Sequence, residues 1–359
     1  MSQKINLNPN IAQEIQARIK LLDYVPNITA GISDGSYSVY SFEGFTAVNK
    51  PYEFQITFIS DIRINIEEIV DTNIELKLLD VKRPLLQKNI FGMIYQATED
   101  SIVASKYMYK INVVSPLYYM GLNTGYEIFL DKRVPDIILE IINRHSPLLN
   151  IKLDMKIDLN KTPVRQYVTR YKQSSLEFIT MLCEEEGYSL IIDYSSNEPY
   201  TITLCELNEQ VTVYEEPLTA NYNKIKQFSN THIINNFYDT DKPSLNMETK
   251  VKHSTQSTMP DNSFTSQLRE DIKNYSHKDT LNILNESLFK DLKRYTNNDS
   301  HKGLENSFSI EGTSTELNIN DSILVTLHDE KRRRQNEVIT LKVEYHGTFP
   351  NALDEFIDS

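Results

Sequence analysis

One short segment of the chain carries the residue pattern of a hydrolase nucleophile. Gly31-Ile32-Ser33-Asp34-Gly35 matches the Gly-x-Ser-x-Gly elbow, in which a serine hydroxyl attacks an acyl carbon. That elbow needs a strand before the serine and a helix after it, whereas here a polar connection precedes Ser33 and a strand is expected to follow. The serine would also need a positioned histidine and an acid, and no pattern marks them. We therefore interpret residues 31–35 as an ordinary turn.

The histidines and cysteines are the residues that would hold a metal ion. The seven histidines form neither a His-x-x-x-His nor a His-Glu-x-x-His pattern, and the two cysteines make no Cys-x-x-Cys pair. The sequence thus predicts no metal site, and a site assembled from distant ligands stays open as the alternative. His346 is expected to be a strand residue near a barrel end. The histidines are His145, His232, His253, His277, His301, His328 and His346.

Carboxylate clusters occur at Glu67-Glu68 and at Glu184–Glu186. A glycosidase needs two carboxylates that face each other across a cleft, one with a raised pKa, and neighbours on an exposed helix end do not meet that requirement. The triplet lies at the negative end of a predicted helix, where acidic side chains are unfavourable. We interpret it as a solvated acidic face; the alternative is that it meets basic groups on another element or subunit.

Lys331-Arg332-Arg333-Arg334 is the strong basic run of the sequence. It lies between two predicted strands, so a solvated hairpin tip is the default interpretation. In an acidic protein it also suits an acidic patch on a neighbouring subunit. Taken with the preceding patterns, the sequence predicts no catalytic residue, no cofactor and no metal ligand, and hence a protein that is not an enzyme.

Composition narrows the class of protein further. The 359 residues carry 37 basic and 50 acidic side chains, a net charge of −13, which argues against a nucleic-acid or anionic-membrane partner. No apolar run approaches the roughly 18 residues of a membrane span, and the polar N-terminus lacks a secretory core. We therefore expect folding in the cytoplasm, with Cys183 and Cys205 as reduced thiols; a disulfide between them stays open.

The elements that position these residues are organised around residues 165–194, which predict a strand, a helix and a strand. Residues 166–171 alternate in the period of a strand. Ser174 and Glu177 have the spacing of a capping box, which predicts a helix start, and Gly187 suits the helix end because glycine enters the left-handed region cheaply. The predicted apolar face of this helix comprises Leu176, Ile179, Leu182 and Cys183, widened by Phe178 and Met181.

This stretch resembles the motif of VgrG proteins, the spike-hub proteins of the type VI secretion system, and more distantly the hub proteins of contractile phage baseplates. Arg170 and Cys183 stand where that family more often has Gln and a Leu-like residue. Further similarity occurs at residues 42–44, 51–54, 91–94, 114–117, 128–138 and 237–243 and across the last strands to residue 347. The motif positions are Arg165, Tyr167, Tyr171, Ser175, Leu176, Phe178, Glu185, Glu186 and Gly187.

The remaining patterns predict a mainly β fold with α+β elements. Strands are expected throughout residues 36–117, and a helix is expected at residues 10–22. A second helix is expected from Tyr126 to His145, stopped by Pro147, and a third from Ser266 to Tyr295. The predicted divisions are an extension with a short helix at 1–32, a first small β-barrel at 33–120, an α+β domain at 121–220, a second barrel at 221–245 and 303–359, and a helical insertion at 246–302.

The resemblance implies a structural hub without a reacting residue. It implies a homotrimeric ring of two tube-forming barrel domains per chain that caps the hexameric Hcp tube. It also implies contacts with baseplate proteins, a C-terminal spike domain and effector or adaptor proteins, and export by the type VI machinery after cytoplasmic assembly. The alternatives are a phage-like baseplate hub and a delivered effector hydrolase. Since the family continues beyond the second barrel into a spike, a fragment and a variant with a separate spike both stay open.

Overall fold

The computed structural model describes residues 15–23, 36–80, 83, 85, 87–103 and 106–206 and shorter pieces after residue 206. The turn expected at residues 31–35 and most of the basic run at residues 331–334 lie outside the described residues. Of the leucines on the predicted third helix, Leu281, Leu284 and Leu288 also lie outside them, whereas Leu292 is described and buried. The shorter pieces are 212–213, 221–226, 232–238, 247–252, 274–279, 292–296, 298, 308–313, 323–329 and 334–349.

Strands predominate over helices in the described parts, as the sequence predicts. The strands are β1 Ile15–Leu21, β2 Ser36–Ala47, β3 Lys50–Ser60, β4 Asn73–Asp80, β5 Gln87–Val103, β6 Lys106–Val114, β7 Gly125–Arg133, β8 Ile151–Lys156, β9 Val164–Gln173, β10 Ser189–Ile192, β11 Tyr200–Cys205, β12 Thr212–Val213, β13 Asn221–Lys226, β14 His232–Tyr238, β15 Met247–Lys252, β16 Asn274–Asp279, β17 Phe308–Thr313, β18 Ile323–Asp329, β19 Arg334–Ile339 and β20 Lys342–Thr348. The α-helices are α1 Ile66–Ile69, α2 Val134–Leu149 and α3 Ser175–Glu186, with 3-10 helices at Pro116–Gly121 and Leu159–Lys161.

The N-terminal strands form one sheet whose pairing returns on itself. The order is β1-β4-β5-β6-β3-β2-β20, and β1 also pairs with β2, so six of these strands lie in a closed circuit of neighbours. Strand β2 meets β1 along residues 36–38 and β20 along residues 41–47. Because β20 comes from the C-terminal part of the chain, the two ends of the described chain meet in this sheet.

Alternating apolar side chains give this sheet its core. Tyr52, Phe54, Ile56 and Phe58 of β3 are all buried, as the alternation of residues 51–58 predicts. Tyr345 of β20 joins the same core. The core continues without interruption into α2, α3 and the strands around them, so the described N-terminal parts share one apolar interior.

The helix predicted at residues 10–22 is wrong over its described part, which is strand β1. Ala17, Ile19 and Leu21 are buried while the residues between them are exposed. The segment satisfies a period of two as well as a helical stripe, and pairing along seven residues of β4 decides between them. In so short a segment, pairing with the neighbouring strands β4 and β2 outweighs the local helical periodicity.

The region between residues 121 and 206 is an α+β unit. Strand β8 pairs in parallel with β11, which pairs with β10, and β7 pairs with β9 in a separate ribbon. The helix predicted from Tyr126 begins only at Val134, because Tyr126, Ile128 and Leu130 alternate along β7 instead.

Helix α2 also runs past Pro147 to Leu149, contrary to the predicted stop. Proline removes one hydrogen bond, and Asn143, whose carbonyl loses it, is exposed to water. Among the described residues no helix has both the length and the apolar character needed to cross a lipid bilayer.

Helix α3 confirms the predicted capping. The Ser174 hydroxyl accepts from the Glu177 amide at 3.1 Å, and the Glu177 carboxylate accepts from the Ser174 amide at 2.8 Å. Gly187 ends the helix at φ +78°, in the left-handed region. The buried face comprises Phe178, Ile179, Leu182 and Cys183. Local sequence chemistry therefore determines both ends of this helix.

The C-terminal half contains strands where a helix is predicted. Within residues 246–302 the described parts include β15 and β16, which flank β14, so the helix expected from Ser266 is wrong at residues 274–279. A helical turn occupies residues 292–296. Strands β13 and β17 pair with each other, and β18 pairs with β12 and β19.

Candidate assembly surface and its buried support

Five large side chains of the β7–β9 ribbon are exposed to solvent. They are Tyr126, Ile128 and Leu130 on β7 and Tyr167 and Tyr171 on β9, and each exposes between 45% and 63% of its surface. We call this set the tyrosine face. Two of its members, Tyr167 and Tyr171, belong to the motif that carries the family resemblance.

Strand register places these side chains on one side of the ribbon. Tyr126 is paired with Tyr171, and Leu130 with Tyr167. Directly paired residues of neighbouring strands point to the same side of a sheet. The Tyr126 and Tyr171 rings meet edge to face with centroids 5.4 Å apart. The tyrosine face is therefore a continuous surface.

The opposite side of the ribbon is covered by the chain itself. Phe129 and Val168, which are paired with each other, are buried, and the Phe129 ring stacks on Phe178 of α3 at 5.8 Å. The ribbon thus has one side packed on the core and one side of similar apolar character left open. An open side of this kind is usually solvated and polar in antiparallel sheets.

The size of the tyrosine face exceeds what isolated exposed residues provide. Its five side chains expose on the order of 600 Å² if a whole large side chain offers roughly 200 Å². A contiguous apolar patch of this extent is at the upper end of what a single copy exposes, and such patches are often functional. Tyrosine suits such a surface, since its ring packs against apolar groups while its hydroxyl stays hydrated.

A buried arginine holds the ribbon from its covered side. Arg170 donates from Nη1 to Glu127 Oε1 at 2.8 Å, from Nη2 to Asn123 Oδ1 at 3.1 Å and from Nε to the Gln173 carbonyl at 3.0 Å. Gly125 is required beside it, because a Cβ there would lie 2.7 Å from the Arg170 guanidinium carbon. Arg170 therefore fixes β9 to β7 and to the loop before β7.

The same loop is tied to the start of α3. Asn123 Oδ1 accepts from the Ser175 amide at 2.9 Å, and the Ser175 hydroxyl lies 3.1 Å from His145 Nε2. Burial, and next the positive charge of Arg170, lower the pKa of His145. This histidine is therefore favoured in its neutral form in the folded chain.

A second buried charge cluster, which we call the carboxylate junction, lies at the other end of β9. Arg165 donates to Glu185 and to Glu186, each at 2.6 Å. Arg294 donates to the second oxygen of Glu186 at 2.6 Å, and the Tyr295 hydroxyl donates to Glu186 at 2.8 Å. The Glu186 side chain is completely buried. One carboxylate thus joins β9, α3 and the turn at residues 292–296.

The junction pairs its buried charges, while Nε of Arg165 and Nε of Arg294 have no hydrogen-bond partner among the described residues. Two guanidiniums and two carboxylates balance, and both oxygens of Glu186 accept hydrogen bonds. Burial, and then the charge of Glu186, raise the pKa of the Tyr295 hydroxyl, so it stays protonated and donates. Asn298 completes the joint by donating to the Glu185 carbonyl at 3.1 Å.

The alternative interpretation of the acidic triplet is therefore confirmed for two of its three members. Glu185 and Glu186 meet arginines on other elements, while Glu184 is exposed. Arg165, Glu185, Glu186 and Gly187, which are motif residues, come together in this cluster. Arg294 and Tyr295 were not foreseen, because nothing in their local sequence indicates a partner more than a hundred residues earlier.

Of the other candidate residues in the described chain, the two cysteines are buried, whereas Glu67, Glu68 and His346 are exposed. Cys183 and Cys205 are free and buried, and burial raises the pKa of both thiols, that of Cys205 to about 11. Glu67 and Glu68 are exposed in the first turn of α1, and His346 is exposed on β20. Within the described ranges no group of three or more histidine, cysteine, aspartate or glutamate side chains could hold a metal ion.

The model of the phage tail baseplate hub (GPD) family matches residues 46–351, which is most of the chain. The chain belongs to this family. The match includes the tyrosine face and every residue of the carboxylate junction.

One curated relative is a spike protein of a secretion system. The chain is similar to the type VI secretion system spike protein VgrG5 of Pseudomonas aeruginosa, with 22% identity over 348 residues, covering 90% of this chain and 40% of the relative. The chain thus spans less than half the length of this curated relative.

Solved structures share the fold. The E. coli c3393 protein, described as a component of the type VI secretion system, has a TM-score of 0.58 and 14% identity, covering 92% of this chain and 73% of that one. The 43 kDa tail protein of a Shewanella oneidensis prophage has a TM-score of 0.60 and 10% identity, covering 94% and 99%. At these identities the likeness concerns the fold alone.

Proposed function

We propose that this chain is the structural base of a contractile injection hub of the VgrG type, in which three copies form a ring that caps a hexameric Hcp-like tube and carries the spike and its effectors. Its role is to provide a defined shape and to transmit force, and none of its residues takes part in a chemical reaction. We propose that it assembles in the cytoplasm and is then expelled with the spike by the machinery.

The observation that carries this proposal is the tyrosine face in a chain of the hub family. An apolar surface on the order of 600 Å² is unfavourable in water, and it adds nothing to the stability of a single copy. It supplies most of the roughly 800 Å² that each partner buries in a standard interface. An assembling protein explains the surface, because a partner that covers it recovers the free energy that its exposure to water costs.

The closed circuit of β1 to β6 supports the tube-forming part of the proposal. We propose that this sheet is the first barrel, at about residues 33–120, with β1 and β20 added from outside that range. The α+β domain at 121–220 follows it, and a second barrel is built from residues 221–245 and 303–359 without β20, which pairs with β2 in the first sheet. Closure removes exposed strand edges, which suits an element that stacks against other rings.

A phage-like baseplate hub is the second candidate. It is favoured by the Shewanella tail protein, which this chain matches over nearly the full length of both. In that case the spike belongs to a separate chain, and the ring proposed here is the same. The two candidates therefore differ in what is attached to the ring and not in the ring itself.

The first test is the native mass of the 359-residue chain by light scattering across a concentration series. A trimer is expected, because a closed ring satisfies each interface of every copy. Negative-stain images should show three-fold rings, and addition of a hexameric Hcp tube protein should give tubes capped at one end.

The control is a fusion that adds a heterologous trimeric β-spike after Ser359. If the unfused chain is monomeric and the fused chain forms rings that cap tubes, the spike supplies the missing stability and the hub function stands. If the fused chain forms no rings, the proposed function is wrong. A mixture with a phage-type tube protein in place of the Hcp protein separates the two candidates.

A further inference from the structure

Four polar side chains form a directed series of hydrogen bonds that joins the β7–β9 ribbon to α2 and α3. Asn123 Oδ1 accepts from the Arg170 guanidinium at 3.1 Å and from the Ser175 amide at 2.9 Å. Both of these groups can only donate, so the other end of the Asn123 amide, Nδ2, is the donor that lies 3.0 Å from the Ser175 hydroxyl. The orientation of the Asn123 amide is thus determined by its neighbours.

The direction of this series continues to His145. The Ser175 oxygen accepts from Asn123, and among the described residues the acceptor available to its own hydrogen is His145 Nε2 at 3.1 Å. Asn123 Nδ2 also lies 3.5 Å from the same ring nitrogen. Two donors therefore face Nε2, so this nitrogen accepts, and Nδ1 carries the hydrogen of the neutral ring.

A proton on Nε2 would reverse the last bond of the series. The ring would then donate to the Ser175 oxygen, and the Ser175 hydrogen would lose its acceptor at a residue that is completely buried. The new N–H of the ring would also face the amide hydrogens of Asn123. A buried hydrogen-bonding group without a partner is unfavourable, so the closed contact disfavours the protonated ring.

The charges around His145 act in the same direction. Burial comes first among the causes that lower the pKa of His145, followed by the positive charges of Arg170 on β9 and Arg144 on α2, whereas Glu127 on β7 opposes them. Glu127 is already paired with both arginines, since its Oε1 accepts from Arg170 at 2.8 Å and its Oε2 accepts from Arg144. The contacts from the loop before β7 and from α3 are the uncharged amide and hydroxyl described above.

We infer that His145 is a pH-sensitive switch, whose neutral Nδ1–H form holds the loop at residues 122–125 against the start of α3 and whose protonated form releases it. Because Asn123 also binds Arg170, release removes part of the support behind the tyrosine face. Opening takes up a proton, so the open fraction rises as pH falls below about 6.5 and stops rising below the pKa of the closed form. The inference concerns a single copy and does not rest on the proposed ring.

The first measurement is the tautomer of His145 in the full-length chain. Nitrogen NMR of protein labelled with 15N-histidine distinguishes a hydrogen on Nδ1 from one on Nε2, and the spectrum of His145→Gln identifies the signal among the seven histidines. At pH 7.5 we expect the hydrogen on Nδ1. If it is on Nε2, the inferred direction of the hydrogen bonds is wrong.

The second measurement is the local opening of the loop by hydrogen–deuterium exchange with mass spectrometry. After correction for the intrinsic exchange rate, amides at residues 122–126 and 174–177 are expected to exchange about fivefold faster at pH 5.0 than at pH 7.5. Uptake of one proton permits at most about tenfold per pH unit. Residues 137–142 in the middle of α2 are the internal reference, and their exchange should not change.

Two variants separate a titrating switch from a contact that is merely structural. His145→Gln places an acceptor near the position of Nε2 but takes up no proton, so the loop should stay closed at both pH values. Ser175→Ala removes the hydroxyl that donates to Nε2, so the pKa of His145 should rise towards its ordinary value and the pH effect on exchange should shrink about threefold. His346→Gln, at an exposed position of β20, is the matched control and should behave as the wild type.

The outcomes distinguish this switch from other titrating groups. If exchange of the loop in the wild type is the same at both pH values, or if it accelerates equally in His145→Gln, the inference is wrong. If circular dichroism shows that His145→Gln is unfolded, the tautomer of the wild type and the exchange of Ser175→Ala still decide. A failure to form rings does not affect these readouts, because each reports on the interior of one copy.

Discussion

Strand β9 contributes to two regions of opposite character, separated by a single residue. Arg165 is almost fully buried in the carboxylate junction, where each charge has a partner. Tyr167, two positions later, belongs to the tyrosine face, where large apolar groups meet water. The usual distribution places charges outside and aromatic rings inside.

The contrast separates what stabilises one copy from what a partner requires. Buried ion pairs add little net stability, but they are costly to break and therefore hold one geometry. An exposed apolar face contributes nothing to the isolated copy and gains its free energy only when it is covered. The motif that carries the family resemblance thus combines a rigid joint with a surface that the joint holds in place.

Removal of the charge at the centre of the junction is expected to have the largest effect. Glu186→Gln is expected to cost about 3–5 kcal/mol in the free energy of unfolding, because Arg165 and Arg294 are left buried without their shared carboxylate. Urea unfolding followed by circular dichroism measures it. Proteolysis should also accelerate near residues 292–298, which Glu186 anchors.

The matched control is Glu184→Gln on the same helix end. Glu184 is exposed, so water screens any ion pair that it makes, and its loss should change the free energy of unfolding by less than about 1 kcal/mol. Equal effects of the two substitutions would show that the helix end as a whole matters and that the junction has no special role.

Substitution of Gly187 tests the backbone turn that follows Glu186 at the end of α3. Gly187→Ala is expected to cost about 1–2 kcal/mol, because alanine is strained at φ +78°. Its Cβ would also lie 2.9 Å from the Asn298 amide, which must then move. Gly121→Ala is the control, since the nearest neighbour of its Cβ is Leu176 at an ordinary 3.6 Å. Similar denaturation midpoints for the two variants would contradict this explanation.

The sequence predicts well those features that depend on neighbouring residues. The Ser174 capping box, the glycine at the end of α3 and the alternation of β3 each arise within a few residues and are confirmed. The segments at residues 15–21 and 126–133 satisfy two periodicities, and both are strands because a partner strand is available. Whether such a segment becomes a helix or a strand depends on pairing with a strand far away in the sequence. The residues of the segment itself show no pattern that indicates this pairing.

The candidate site was predictable only in part, for the same reason. The motif residues Arg165, Glu185 and Glu186 are recognisable, but their partner Arg294 is brought in by the tertiary fold. The tyrosines are visible in the sequence, yet their exposure follows from which side of the ribbon α3 covers. No pattern in the sequence distinguishes a tyrosine of the core from a tyrosine of an interface.

His145 gives a smaller effect that depends on pH. Its pKa is lowered in the folded chain by burial and by Arg170, so the unfolded chain binds the proton more readily. Stability should therefore fall as pH drops below the unfolded pKa of about 6.5, and the loss should stop growing once the folded pKa is passed. Unfolding of the wild type and of His145→Gln at pH 5 to 8 measures it; a slope that persists in the variant would assign the effect to other groups.

Substitution of two tyrosines of the tyrosine face is expected to change the stability of one copy least. Tyr126→Ser with Tyr171→Ser should alter the free energy of unfolding of the monomer by less than about 1 kcal/mol, because the two rings are mostly exposed and lose chiefly their contact with each other. Measured at a concentration where only monomers exist, this separates the face from the junction, where one substitution costs several times more. A large destabilisation would mean that the rings belong to the fold of one copy. A negligible one, together with lost assembly, would mean that this part of the chain is maintained for the partner that covers it.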